Sequence, residues 1–92
     1  MTVLTVHKIP LSTRHSQEIQ IPSGSILLQC HAQADAPCLW YLCDPTQKPA
    51  TRTIVILGTG HEIDNALLGP YLGTVLLEGG ALVLHIFEGA TR

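Results

Sequence analysis

The sequence predicts an all-β fold: a small sandwich or barrel of about seven short antiparallel strands, with at most one short helical turn. Three observations carry that reading. β-branched and aromatic residues cluster in short runs, and turn-forming residues separate the runs at roughly 8–12-residue intervals. No stretch of useful length shows the apolar repeat of an amphipathic helix, which excludes a doubly wound α/β fold.

Taken in order, Val3 to Ile9 is β-rich, and Pro10 ends that strand or places it on an edge. Glu18-Ile19-Gln20-Ile21 alternates polar and apolar, the period-2 mark of a half-buried strand, and Pro22-Ser23-Gly24 turns the chain. Strict alternation over Ile26 to Gln33 puts Ile26, Leu28, Cys30 and Ala32 on one face, with Leu27, Gln29, His31 and Gln33 on the other. Ala34 to Pro37 is the expected hairpin loop into a strand from Cys38 to Cys43, which Asp44-Pro45 closes. After the loop-like "TQKPA", a strand runs from Arg52 to Leu57 and stops at Gly58. His61 to Leu68 is the one plausible helical turn. Tyr71 to Leu77 and Ala81 to Phe87 form the last pair, joined by Glu78-Gly79-Gly80, where glycines accept positive φ. The last strand is apolar on both faces, as a central strand or one against a second subunit would be.

The chain reads as a single β-rich domain over residues 1–92. Apolar residues make up 46% and charged residues only 13%, which opposes disorder. So few charges leave apolar surface exposed, and a second copy or a partner that covers it is the economical solution. The net charge of −2 and the scattered Lys8, Arg14, Lys48, Arg52 and Arg92 argue against direct nucleic-acid binding, which needs clustered cations. The apolar runs fall far short of the roughly 20 residues of a spanning helix, so no membrane role is expected, and the first residues lack the pattern of a signal peptide. The three cysteines, Cys30, Cys38 and Cys43, read as reduced, buried thiols of a cytosolic protein.

Candidate chemistry centres on "IVILGTGHEID". The turn Gly58-Thr59-Gly60-His61 lacks the third glycine and the long helix of a dinucleotide fingerprint, and it lacks the Gly-Lys-Ser/Thr ending of a phosphate-binding loop. A strand-end turn is the first reading, and the rim of a ligand pocket is the second. Cysteine spacings of seven and four residues, with Cys30 and His31 on opposite faces of a strand, oppose a zinc site. No nucleophile elbow or helix-terminal cysteine is present, so no metal, no cofactor and no enzymatic activity are expected. Of the adjacent Trp40 and Tyr41, at most one fills the core. Core packing is the expected role of Trp40, and the other then lies at a surface, an interface or a pocket wall. His85, among apolar neighbours, reads as a hydrogen-bonded core histidine.

Several blocks together carry a resemblance: Lys8-Ile9-Pro10-Leu11, Pro22-Ser23-Gly24, "PCLWYLCDP" from Pro37, Gly58-Thr59-Gly60-His61, Tyr71-Leu72-Gly73-Thr74 and His85-Ile86-Phe87-Glu88. Over residues 7–88 the chain resembles an uncharacterised family of short phage and prophage proteins. Ile9 stands where that family has an aromatic residue. The resemblance implies a small accessory protein in the cytoplasm of a bacterial host, without assigned catalytic residues. The leading expectation is stoichiometric binding to a host defence protein or complex, as an inhibitor of the anti-CRISPR type. The alternatives are a nucleotide or small-molecule signal sponge and a virion or assembly component. For the sponge, Gly58 to His61 would supply N–H donors, with Trp40 and Tyr71 as stacking faces. The binding candidates are therefore Trp40, Tyr41, Gly58, Thr59, Gly60, His61 and Tyr71.

Overall fold

The computed structural model describes residues 1–90, and its elements are seven antiparallel strands and two single turns of 3₁₀ helix. The strands are β1 (Thr5–Pro10), β2 (Ser16–Pro22), β3 (Ile26–Gln33), β4 (Ala36–Cys43), β5 (Pro49–Gly58), β6 (Leu68–Leu77) and β7 (Leu82–Gly89). They form a three-stranded sheet in the order β1-β4-β3 and a four-stranded sheet in the order β2-β5-β7-β6. The all-β expectation holds, and every predicted strand is present. The apolar residues of β7 follow from its central place between β5 and β6. No helix among the described residues is long and apolar enough to cross a membrane.

The core lies between the two sheets. From the three-stranded sheet it takes Cys30, Leu39, Tyr41 and Cys43, and from the other Ile19, Ile21, Ile54, Ile56, Val75, Leu84 and Ile86. Tyr41, not Trp40, is therefore the aromatic residue of β4 that packs inside, and Trp40 lies half-buried on the outer face. Leu39, Tyr41 and Cys43 have the same parity along the strand, which leaves residue 40 on the opposite side.

The predicted alternation in β3 also fails partway. The pairing of β3 with β4 slips between Leu27 and Gln29, a β-bulge that inserts one residue and reverses the parity beyond it. Leu27, Cys30 and Ala32 consequently pair on the inner side with Tyr41, Leu39 and Pro37, while Ile26, Gln29, His31 and Gln33 face outward. The β3–β4 loop is shorter than expected. Gln33 already pairs with Ala36, so the turn is Ala34-Asp35 alone, with both residues at positive φ (52° and 57°). The Asp35 carboxylate accepts a hydrogen bond of 2.8 Å from the Glu78 N–H in the β6–β7 hairpin, which fastens the turns of the two sheets together.

The two outer faces differ. β5 and β6 each run antiparallel to β7, so they are parallel to each other, and residues 59–67 must cross from one side of β7 to the other. Val55 and Leu57 alternate with the core residues Ile54 and Ile56, yet they are only 5% and 7% exposed. Ile63 and Leu67 of the crossing segment share a groove with Val55, and Ala90 N–H bonds to Leu67 C=O at 3.0 Å. The four-stranded sheet thus carries a partial third layer; among the described residues, the outer face of the three-stranded sheet has none.

Candidate functional site

At the end of β5, the Gly58–His61 turn is closed by its own atoms. His61 N–H donates to Gly58 C=O, and Gly58 N–H donates to His61 Nδ1, both at 3.1 Å. A Cβ at position 58 would lie 3.0 Å from His61 Cε1, so glycine is what lets the ring fold back. Gly60, at φ +88°, completes the turn. Gly58 N–H is spent on the imidazole, so that donor is not presented to an anion. A hollow of about 410 Å³ beside the turn is lined by His15, Thr59, His61 and Leu82.

Thr59 points to the outer face of the four-stranded sheet, where its hydroxyl is hydrogen-bonded to His85 Nε2 at 2.7 Å. His85 Nδ1 is 3.0 Å from the Thr74 hydroxyl, which is 2.6 Å from the Tyr71 hydroxyl. Tyr71 itself packs edge-on against Phe87. This chain, Tyr71–Thr74–His85–Thr59, joins two candidate residues through two that periodicity cannot reveal, since the partners lie 11 and 26 residues apart. His85 is satisfied as expected, but on the outer face and half-buried rather than in the core. Both of its ring nitrogens are thus within hydrogen-bond distance of threonine hydroxyls.

The larger exposed feature is on the other side of the sandwich. Cross-strand register places Val6, Leu42 and Ile26 in one row across β1, β4 and β3. The next row is Lys8, Trp40 and Gln29. Val6 and Ile26 are each 56% exposed and Leu28, at the bulge, 46%. His31 lies edge-on to the Trp40 indole, with ring centroids 6.1 Å apart. Lys8 Nζ reaches across β4 and donates to the side-chain Oε1 of Gln33 at 2.6 Å, which borders the patch on its polar side. The three strands hold one lysine and two histidines and no carboxylate.

Residues 2–92 match the model of a family described only as a domain of unknown function, DUF7352. The chain belongs to that family. No curated protein and no solved structure matches it.

In this DUF7352 domain the sequence-derived candidates separate into three places. Tyr41 is core, and burial, with Cys43 nearby, raises the pKa of its phenol. Gly58, Thr59, Gly60, His61 and Tyr71 belong to the four-stranded sheet and its turn, whereas Trp40 lies on the outer face of the opposite sheet. Trp40 and the glycine turn therefore cannot enclose one ligand. All three cysteines are buried and unpaired, and burial, together with the nearby Cys38, pushes the Cys30 thiol up to about 12, which makes it a poor nucleophile. The feature that sequence reasoning missed is a groove of about 760 Å³ under the crossing segment, with Val55, Ile63 and Leu67 as its apolar wall and Thr51, Thr53 and Arg52 among its polar residues. Its one cation is already engaged: the Arg52 guanidinium holds the Glu88 carboxylate with two bonds, of 2.6 and 3.0 Å.

Proposed function

We propose that this protein is a phage- or prophage-encoded accessory protein that works by stoichiometric protein binding in the host cytoplasm, as an inhibitor of a bacterial defence complex. Its contact surface is the outer face of the three-stranded sheet. The observation that carries this reading is the apolar row Val6–Leu42–Ile26 lying beside the half-buried Trp40, uncovered by any other element among the described residues. Tryptophan at the centre of such a patch is the commonest kind of energetic anchor in protein interfaces. Lys8 and His31 on a face without carboxylates favour a partner patch that is apolar with an acidic border. The phage origin and the defence target rest on the sequence blocks from Lys8 to Glu88 and on no geometric feature. The test is phage plating on a host with an active defence system: the wild-type protein restores plaques and Trp40→Ala does not. Failure of the wild type to restore plaques against every defence system tried would count against the inhibitor role.

A second reading is favoured by the groove over β5, whose size suits a small-molecule ligand. A signal sponge would bind there and not between Trp40 and the glycine turn. A phosphate would have to compete with Glu88 for Arg52, so a neutral or weakly charged ligand suits the groove better than a nucleotide. A thermal-shift screen decides, because a ligand of the folded state raises the melting temperature. No shift with any nucleotide or uncharged signal would remove the sponge.

A further inference from the structure

The edge of β1 carries a separate inference. β4 flanks β1 on one side and, among the described residues, no strand lies on the other, so a row of main-chain N–H and C=O groups faces outward there. The devices that usually guard such an edge are weak in this strand. It has no bulge in its pairing with β4, its one lysine is occupied by Gln33, and its proline lies at the far end. The ladder with β4 also stops early. Thr5 pairs with Cys43, after which Asp44 leaves in a turn closed by hydrogen bonds from Thr46 and Gln47. Val3 and Leu4, both strand-forming and 61% and 48% exposed, have no strand opposite them.

We infer that β1 pairs antiparallel with β1 of a second copy of this chain, about a two-fold axis at Val6. In that register Val6 faces the partner's Val6, Thr5 the partner's His7, Leu4 the partner's Lys8, and Val3 the partner's Ile9. Both overhanging residues then gain a ladder neighbour. Ile9 packs against the core, and Val3 has its parity, so two apolar side chains meet on the inner side. Leu4 has the outward parity of the partner's Lys8, whose side chain leans away across β4 to Gln33 and leaves the outer face beside Leu4 open. The two lysines do not face each other, and no like charges are placed in opposition. Shifting the axis to Thr5 sets Val3 against a histidine; shifting it to His7 sets Leu4 against a proline. Pairing at Val6 also joins the two Ile26–Leu42–Val6 rows into one apolar band across six strands and leaves both Trp40 faces open. The contact is isologous, so it closes at two copies.

Sedimentation equilibrium of the full chain tests this. The wild type is expected at twice the 9.9 kDa chain mass. Val6→Lys puts two ammonium groups opposite each other at an exposed position and is expected at the single mass, with an unchanged circular-dichroism spectrum. Trp40→Ala is expected to remain dimeric. Val6→Cys is expected to form a disulfide-linked dimer on mild oxidation, while Lys48→Cys does not. A wild type at 9.9 kDa at every concentration measured overturns the inference, as does a Val6→Lys protein that stays dimeric. A monomeric Trp40→Ala protein also overturns it, since the copies would then meet face to face through the sheet. These outcomes are independent of the plating test, which reads the Trp40 face alone.

Discussion

Gly73 of β6 lies so close to Cys30 of β3 that a Cβ on it would stand 2.7 Å from the Cys30 carbonyl oxygen. Its φ of +149° is one that L residues rarely adopt. The two sheets touch at this corner, and the bulge between Tyr71 and Gly73 lets β6 bend into it. Gly73→Ala is expected to destabilise the domain by about 3 kcal/mol, from the clash with backbone and the φ together. Gly24→Ala, at φ +78° in open space, isolates the conformational part and should cost about 1 kcal/mol. Urea denaturation of the two variants checks the difference.

The Ala34-Asp35 turn predicts changes of opposite sign at neighbouring residues. Alanine at φ 52° is strained, and asparagine tolerates that region, so Ala34→Asn should stabilise by about 1 kcal/mol. Asp35→Ala removes the bond to Glu78 N–H and should destabilise by about 1 kcal/mol. Equal shifts in the same direction would contradict the turn geometry.

Arg52 and Glu88 lie on adjacent strands, with side chains 26% and 15% exposed, and Arg52 Nη1 also donates to Ser25 C=O just before β3. The guanidinium thus ties the four-stranded sheet to the β2–β3 turn. A double-mutant cycle with Arg52→Met and Glu88→Gln should give a coupling of about 1–2 kcal/mol, diminished only modestly by salt because the pair is partly shielded.

Asp44 supplies a pH prediction. Hydrogen bonds from the Thr46 hydroxyl and N–H, and then from Gln47, hold its pKa below the ordinary aspartate value. A depressed folded pKa means that the carboxylate form is the one the fold favours. Its contribution is complete above the unfolded pKa, near pH 4, and is lost as pH falls through the lower folded value. An NMR titration should place the Asp44 midpoint below that of a free aspartate, and Thr46→Val should raise it. A midpoint unmoved by Thr46→Val would contradict the assigned cause.

The strands were legible because period-2 runs such as Glu18 to Ile21 and glycine punctuation such as Gly58 report local geometry directly. What could not be read was anything set by register. The bulge after Leu27 reverses the faces of β3 without a distinctive residue to mark it. Trp40 against Tyr41 is a question of strand parity, which composition does not settle. The groove under Ile63 and Leu67, like the bond from Thr59 to His85, exists only because the 59–67 segment crosses β7, a topological fact with no local signature.

The central claim is that the Trp40 face binds a partner while contributing little to the fold, whereas the Gly58–His61 turn is structural. Measuring phage plating and melting temperature for both Trp40→Ala and His61→Ala tests it most directly. The account predicts that Trp40→Ala loses the protective effect with its melting temperature nearly unchanged, and that His61→Ala keeps the effect with a lowered melting temperature. The reverse pattern, with protection lost at His61 and retained at Trp40, would contradict it.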